Sequence, residues 1–261
     1  MRKRLVSSIL VLVAVVAFGS VRIARTAEQS AVAQSQPAAS GPDLSGVWTQ
    51  HPPASARAYA LYSLGKDVAP MTPWAEARFN ANKPSFGPRA VEDSNDPVNP
   101  TAGNVGCDPP GVPRIYLHPF PMEIIQIPGR VIMLFEFDHF TRQIYTDGRT
   151  HDTNLPPTWM GDSIGSWEGD TLVVDTTNFN DKTWLDRGGH PHSDALHVVE
   201  RIRRVDHDTL ENDVTIDDPK AYTKSWGTKL TFQLKPKWKL MEMICEDNAN
   251  FLDVQQKIKS K

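Results

Sequence analysis

Three histidines, His190, His192 and His197, stand within eight residues of one another, and Glu200 follows on the same run. A neutral imidazole exchanges its proton near pH 7, so any of these rings suits general acid or base chemistry. His190-x-His192 also has the residue types for one divalent metal ion, because alternate residues of an extended chain share a face. Pro191 between the two rings, and Gly188-Gly189 before them, place the pair in a loop instead. Structural hydrogen bonding is the third role open to them.

Gly161-Asp162-Ser163-Ile164-Gly165 matches the G-x-S-x-G nucleophile pattern. That chemistry requires a strand, a sharp turn and then a helix. Here the residues that follow, Ser166 to Val174, read as a β-hairpin around Glu168-Gly169-Asp170, so the stretch reads as a glycine-bounded turn. Asp162 and Ser163 then line a pocket mouth. Upstream, Tyr145 offers a proton or a hydrogen bond, and Arg149 a clamp for a carboxylate or developing oxyanion. Asp147-Gly148 between them is equally a turn signal. Trp159, Trp167 and Trp184 flank the same region, where tryptophans either stack on a ligand or fill a core.

The run from Leu196 to Arg204 carries information in its parity. Leu196, Val198, Glu200 and Ile202 share one face, and Asn212 falls among Leu210, Val214 and Ile216 on the next run. A carboxylate among apolar neighbours is costly unless paired, and burial drives its pKa upward. Glu200 and Asn212 therefore form either the floor of a polar cavity or a satisfied internal pair, with a Glu200–arginine ion pair as the main structural competitor.

The elements that must position these groups are strands. Short runs at 43–48, 123–127, 130–137, 142–146, 166–167, 171–176, 196–204, 209–216, 226–234 and 238–246 are separated by turn chemistry such as Pro128-Gly129 and Lys235-Pro236-Lys237. About nine strands at hairpin spacing predict an all-β fold, a single antiparallel β-barrel, since closure removes the edges of an open sheet. Residues 52–113 are rich in Pro, Ala, Asn and Gly and predict a long wrapped arm, with one short helix over Pro73–Phe79. Gly46-Val47-Trp48 is similar to the G-x-W signature of lipocalin-like barrels, and equally suits a tryptophan plugging one end of any β-domain.

Met1-Arg2-Lys3-Arg4, the apolar run Leu5–Val21 and Ala31-Val32-Ala33 read as a signal peptide over 1–33, followed by a flexible tether over 34–42 and the barrel domain over 43–261. Arg22 and Arg25 lie before the cleavage signal, so membrane attachment follows only if the segment stays uncleaved as an anchor. Residues 1–33 hold five basic and one acidic side chain, leaving 23 Lys and Arg against 30 Asp and Glu, a net of about −7. That balance argues against nucleic acid as a partner and leaves a small molecule as the expected one. Two thiols in an exported chain most often form one disulfide, here Cys107 with Cys245. Free or metal-binding thiols are the alternative, without a second pair to complete a zinc set.

Several blocks together resemble a widespread group of uncharacterised exported bacterial proteins. They include Gly161-Asp162-Ser163-Ile164-Gly165 followed by Trp167 to Thr176, the run from His190 to Arg204, Cys107 to Arg114, and Cys245 to Asn248. The resemblance implies an exported, periplasmic or extracellular, β-rich domain and carries over no catalytic residue. The residues alone predict a cofactor-independent lyase, hydratase or isomerase acting on a small oxygenated or aromatic metabolite. His192 or Glu200 would serve as acid or base beside Tyr145 and Arg149. His190, His197, Asn212 and the tryptophans would line the site. A non-catalytic lipocalin-like binder and a structural envelope domain are the alternatives.

Overall fold

The computed structural model describes residues 41–57, 59–98 and 106–247. The expected signal peptide and most of the tether lie outside the described residues. Nine strands form a closed barrel in chain order: β1 (Gly46–Gln50), β2 (Met122–Ile127), β3 (Arg130–Phe135), β4 (Thr141–Tyr145), β5 (Asp162–Glu168), β6 (Thr171–Thr177), β7 (His197–Arg204), β8 (Thr209–Asp217) and β9 (Trp226–Leu234). Pairing of β9 with β1, with Trp48 opposite Leu234, completes the ring.

Alternation sets what lies inside. On β7, Val198, Glu200 and Ile202 are buried, and on β8 Leu210, Asn212, Val214 and Ile216 are, as the parity of those runs predicts. Register then places Glu200 opposite Val174 on one side and Val214 on the other.

Three features depart from the expected pattern. The barrel is mixed, because β4 and β5 pair in parallel through Ile144–Ser163 and Tyr145–Ile164. Parallel neighbours need a crossover, which the long connection from Thr146 to Gly161 supplies. Second, Asp162 to Glu168 is one continuous strand and not a turn leading into a hairpin. The turn ends at Gly161, which has a φ of +71° and whose added Cβ would lie 2.7 Å from the Thr177 carbonyl oxygen. Third, Trp238–Glu246 forms no strand. With β9 closed onto β1 there is no free edge to pair with, and this segment touches the rest through a bridge from Met243 to Phe137 and the Cys107–Cys245 disulfide.

The arm wraps as expected and carries a helix, α1 (Pro73–Ala81), with Pro73 in its first turn and the Thr72 hydroxyl accepting from the Ala75 amide at 3.3 Å. The arm is pinned to the barrel loops by Thr72 N–H to Ala221 O (2.9 Å), Asn82 Nδ2 to Gly189 O (2.8 Å) and Arg187 Nη1 to Leu61 O (2.9 Å). Farther along, the 3-10 helix Arg114–Leu117 is buried at every residue and pushes Tyr116 into the barrel. At β1, Trp48 is fully buried, its Nε1 donating to Leu44 O at 3.0 Å beneath the Arg204 guanidinium. Among the described residues, no helix is long and apolar enough to cross a membrane.

Candidate functional site

The barrel interior holds a polar network in place of the expected ligand cavity. Arg142 of β4 pairs with Glu200 Oε2 and donates from Nη1 to Tyr116 OH (2.6 Å), from Nη2 to Thr176 Oγ1 (2.9 Å) and from Nε to Ser163 Oγ (3.1 Å). Tyr116 OH and Asn212 Nδ2 both donate to Glu200 Oε1, at 2.9 and 2.8 Å. Both carboxylate oxygens are thus occupied and out of water. Burial alone would disfavour the Arg142 charge, but Glu200 and Tyr116 more than offset it and raise its pKa. A space beside Trp48, Tyr116, Phe135 and Phe232 is about 10 Å³, room for at most one water. Glu200 is therefore held as a paired internal carboxylate.

The four groups expected around one cavity are distributed to separate places. Tyr145 lies on the outer face of β4, its OH 3.3 Å from Gln143 Oε1. Arg149 stacks over that ring at 3.8 Å and pairs with Asp147 at the surface. The reason is parity: Arg142 and Ile144 take the inward positions, so Tyr145 must face out. His192 is buried, its Nδ1 donating to Ser193 O at 3.1 Å and its ring edge-on to Phe179. Burial lowers its pKa and keeps it neutral. Ser163 is interior and bonded as above. Trp184 is buried below Arg114, Trp167 packs against the barrel core, and Trp159 sits beside Lys182.

A cleft does exist, between the arm and the loop that carries His190. It measures about 500 Å³, within the range of small-molecule sites. Tyr59, Tyr62, Phe79 and Phe86 from the arm supply its rings, and Lys66, Arg89 and His190 its charged or ionisable groups. His190 Nδ1 lies 2.6 Å from Oδ2 of Asp186, which is fully buried. The other oxygen, Oδ1, accepts from the amides of Gly188 (3.0 Å) and His190 (3.2 Å). Burial opposes ionisation of Asp186, yet His190, its amide and Arg114 outweigh that and hold the carboxyl below its ordinary range. The ring is clamped further by stacking on Phe79, centroids 4.8 Å apart.

With Nδ1 engaged by a carboxylate, Nε2 is the free edge of the His190 ring, and it has no hydrogen-bond partner among the described residues. A carboxylate-oriented imidazole beside an aromatic cleft is equipped to move a proton. His190 and His192 thus face different surroundings, Phe79 and the cleft for one, Phe179 and the loop interior for the other.

Arg114 is fully buried against Asp96 at 2.6 Å, with its Nε and Nη1 unbonded among the described residues. Burial and this neighbouring guanidinium push Arg187, stacked over Phe86 at 3.3 Å, down to about 10.

On the outer wall a second imidazole cluster forms. His151 Nδ1 lies 2.8 Å from Asp162 Oδ2, and its Nε2 lies 2.9 Å from Asp175 Oδ1. His197 Nε2 meets the other Asp175 oxygen at 2.8 Å. Both ring nitrogens of His151 face carboxylates, an arrangement only the imidazolium satisfies.

The sequence marks neither Arg89, Tyr59 and Tyr62, which lie in irregular stretches of the arm, nor Phe79, which reads only as the end of its short helix, nor Asp186 in the His190 loop, as parts of one site. Asp186 carried one usable signal, its spacing of four residues before His190. Comparison with protein-family models, with curated proteins and with solved structures finds no match to this chain.

Proposed function

We propose that the chain is an exported β-barrel protein that performs acid–base chemistry, of the lyase, hydratase or isomerase kind, on a small metabolite bound in the cleft between its arm and the His190 loop. The observation that carries this is the Asp186–His190 pair, a buried carboxylate fixing an imidazole whose residue lines a cleft of about 500 Å³. Asp186 fixes the tautomer and orientation, and His190 Nε2 gives or takes the proton. The aromatic rings hold the substrate by its apolar face. Export is supported by the basic and apolar start of the chain, the Cys107–Cys245 disulfide and the resemblance to exported bacterial proteins.

The test is untargeted mass spectrometry of a mixed plant and microbial metabolite pool incubated with the protein and, in parallel, with His190→Gln. A metabolite consumed by the wild type alone supports catalysis. Ligand-dependent melting without consumption by either protein supports a binder. That second reading is favoured by one observation: the cleft lining has four aromatic rings but a single imidazole for proton transfer.

A further inference from the structure

We infer that the cleft takes a planar aromatic carboxylate, bound through its acid group by Arg89. This rests on the cleft being the working site, and it adds the chemical class of the substrate. Three independent observations meet here.

The first is an unmet donor. Arg89 Nη2 donates to the carbonyls of Phe79 (2.7 Å) and Asn82 (3.1 Å), which fixes the guanidinium, while its Nη1 is buried and has no hydrogen-bond partner among the described residues. A buried N–H of a cation left unbonded is costly, and an anion supplied by a ligand removes that cost with a charge-assisted bond.

The second is sign. The whole chain is acidic, with a net formal charge of −3, yet Lys66 and Arg89 line the cleft and, among the described residues, no carboxylate does. The carboxylate that touches His190, Asp186, is spent on Nδ1 of that ring and on two amides. An anionic ligand meets attraction on entry and no repelling group among the lining residues.

The third is shape. The Phe79 ring carries the Arg89 guanidinium at 3.8 Å and stacks with His190 at 4.8 Å, so the anion clamp and the proton-transfer group share one ring. Tyr62 and Phe86 supply further rings for the ligand's flat face. A carboxylate on Arg89 therefore brings the adjoining part of the substrate to the His190 side of the cleft, and the proton moved belongs to an atom close to that acid group.

The test uses the full chain and a panel of hydroxylated benzoates and cinnamates, their neutral amides, and cyclohexanecarboxylate, with affinity read by calorimetry. The expected result is at least one aromatic acid binding tenfold or more tighter than both its amide and the non-aromatic acid. Arg89→Met should erase the advantage of acid over amide, and Lys66→Met should weaken it less. The comparison of acid with amide on the wild type stands even if Arg89→Met fails to fold. Equal binding of acid and amide overturns the carboxylate assignment and leaves the cleft reading standing. Binding of cyclohexanecarboxylate as tight as the aromatic acids overturns the aromatic part. If no aromatic acid binds below millimolar concentration, the substrate class falls. Depletion of some other metabolite by the wild type and not by His190→Gln would then show that the cleft still works on another class.

Discussion

Arg142 on β4 and Glu200 on β7 close an ion pair inside the barrel, with side-chain exposures of 1% and 0%. The pair is surrounded by hydroxyls from Tyr116, Ser163 and Thr176, so this part of the barrel interior is a hydrogen-bond network and not a vacant calyx, with Asn212 Oδ1 as its one acceptor left unbonded among the described residues. Whatever the protein binds must find room outside that interior, which is where the arm has built the cleft.

Removing one partner of that pair should be severe. Glu200→Ala leaves a buried guanidinium uncompensated and should cost about 3–5 kcal/mol. Replacing both partners with apolar side chains, Arg142→Met with Glu200→Leu, should recover much of the loss. Urea unfolding of the three proteins reads this directly, as a large drop in midpoint for the single variant and a smaller one for the double.

His190→Gln should lower turnover of the identified substrate by about 10²–10⁴-fold, the usual contribution of a positioned acid or base, and should also lower the unfolding midpoint modestly, because the buried Asp186 carboxyl loses its imidazole partner. Asp186→Asn should also lower turnover, because it misorients the ring, but it should cost more stability than His190→Gln, since Asp186 also holds two backbone amides in the buried turn. A Glu200→Gln variant that folds should keep its turnover, because Glu200 lies in the barrel and not in the cleft.

The outer-wall cluster makes the attachment of the Thr146–Gly161 connection depend on pH. Burial works against the His151 charge, but hydrogen bonds with Asp162 and Asp175 outweigh it and raise its pKa above 6.5. Its contribution is therefore fully present below 6.5 and lost as pH climbs through the raised value. Burial raises Asp175, but its bonds with His197 and His151 prevail and lower it below 3.8, so its contribution holds above 3.8 and disappears as pH falls through the lowered value. The clamp is strongest between those limits. Hydrogen exchange of the connection should be slower in the wild type than in His151→Gln at pH 5.5, and the two should converge at pH 9.

Reduction of Cys107–Cys245, or its replacement by a serine pair, should lower stability by about 4–5 kcal/mol through the freedom returned to a 138-residue loop in the unfolded chain. Comparing unfolding midpoints with and without a reductant measures it. The barrel strands should remain folded, since the bond ties the arm to a segment outside the sheet.

The sequence by itself determined the barrel. Alternation on the runs that became β7, β8 and β9 depends only on the two-residue period of an extended chain, so the inward positions of Val198, Glu200, Asn212 and Phe232 could be read without any partner in view. The same rule set Tyr145 outside, once Arg142 was recognised as inward; counting parity along that short run would have separated Tyr145 from Glu200. Turn residues located most of the hairpins for a similarly local reason. The parallel β4–β5 pair was not legible, because strand direction follows from where a long connection travels, and Thr146–Gly161 carries no local mark of it.

Only the tertiary structure decided the site. Whether Glu200 floored a cavity or sat in an ion pair turned on which side chains reach it from 58 and 84 residues away, Arg142 and Tyr116, and no periodicity encodes such distances. The cleft is a product of the same kind. Tyr59 and Arg89 come from irregular stretches of the arm, Phe79 from its one short helix, and His190 from a loop about a hundred residues later. Their meeting depends on how the arm docks, through single hydrogen bonds such as Asn82 to Gly189, and docking is a property of two finished surfaces, which a chain read residue by residue does not contain.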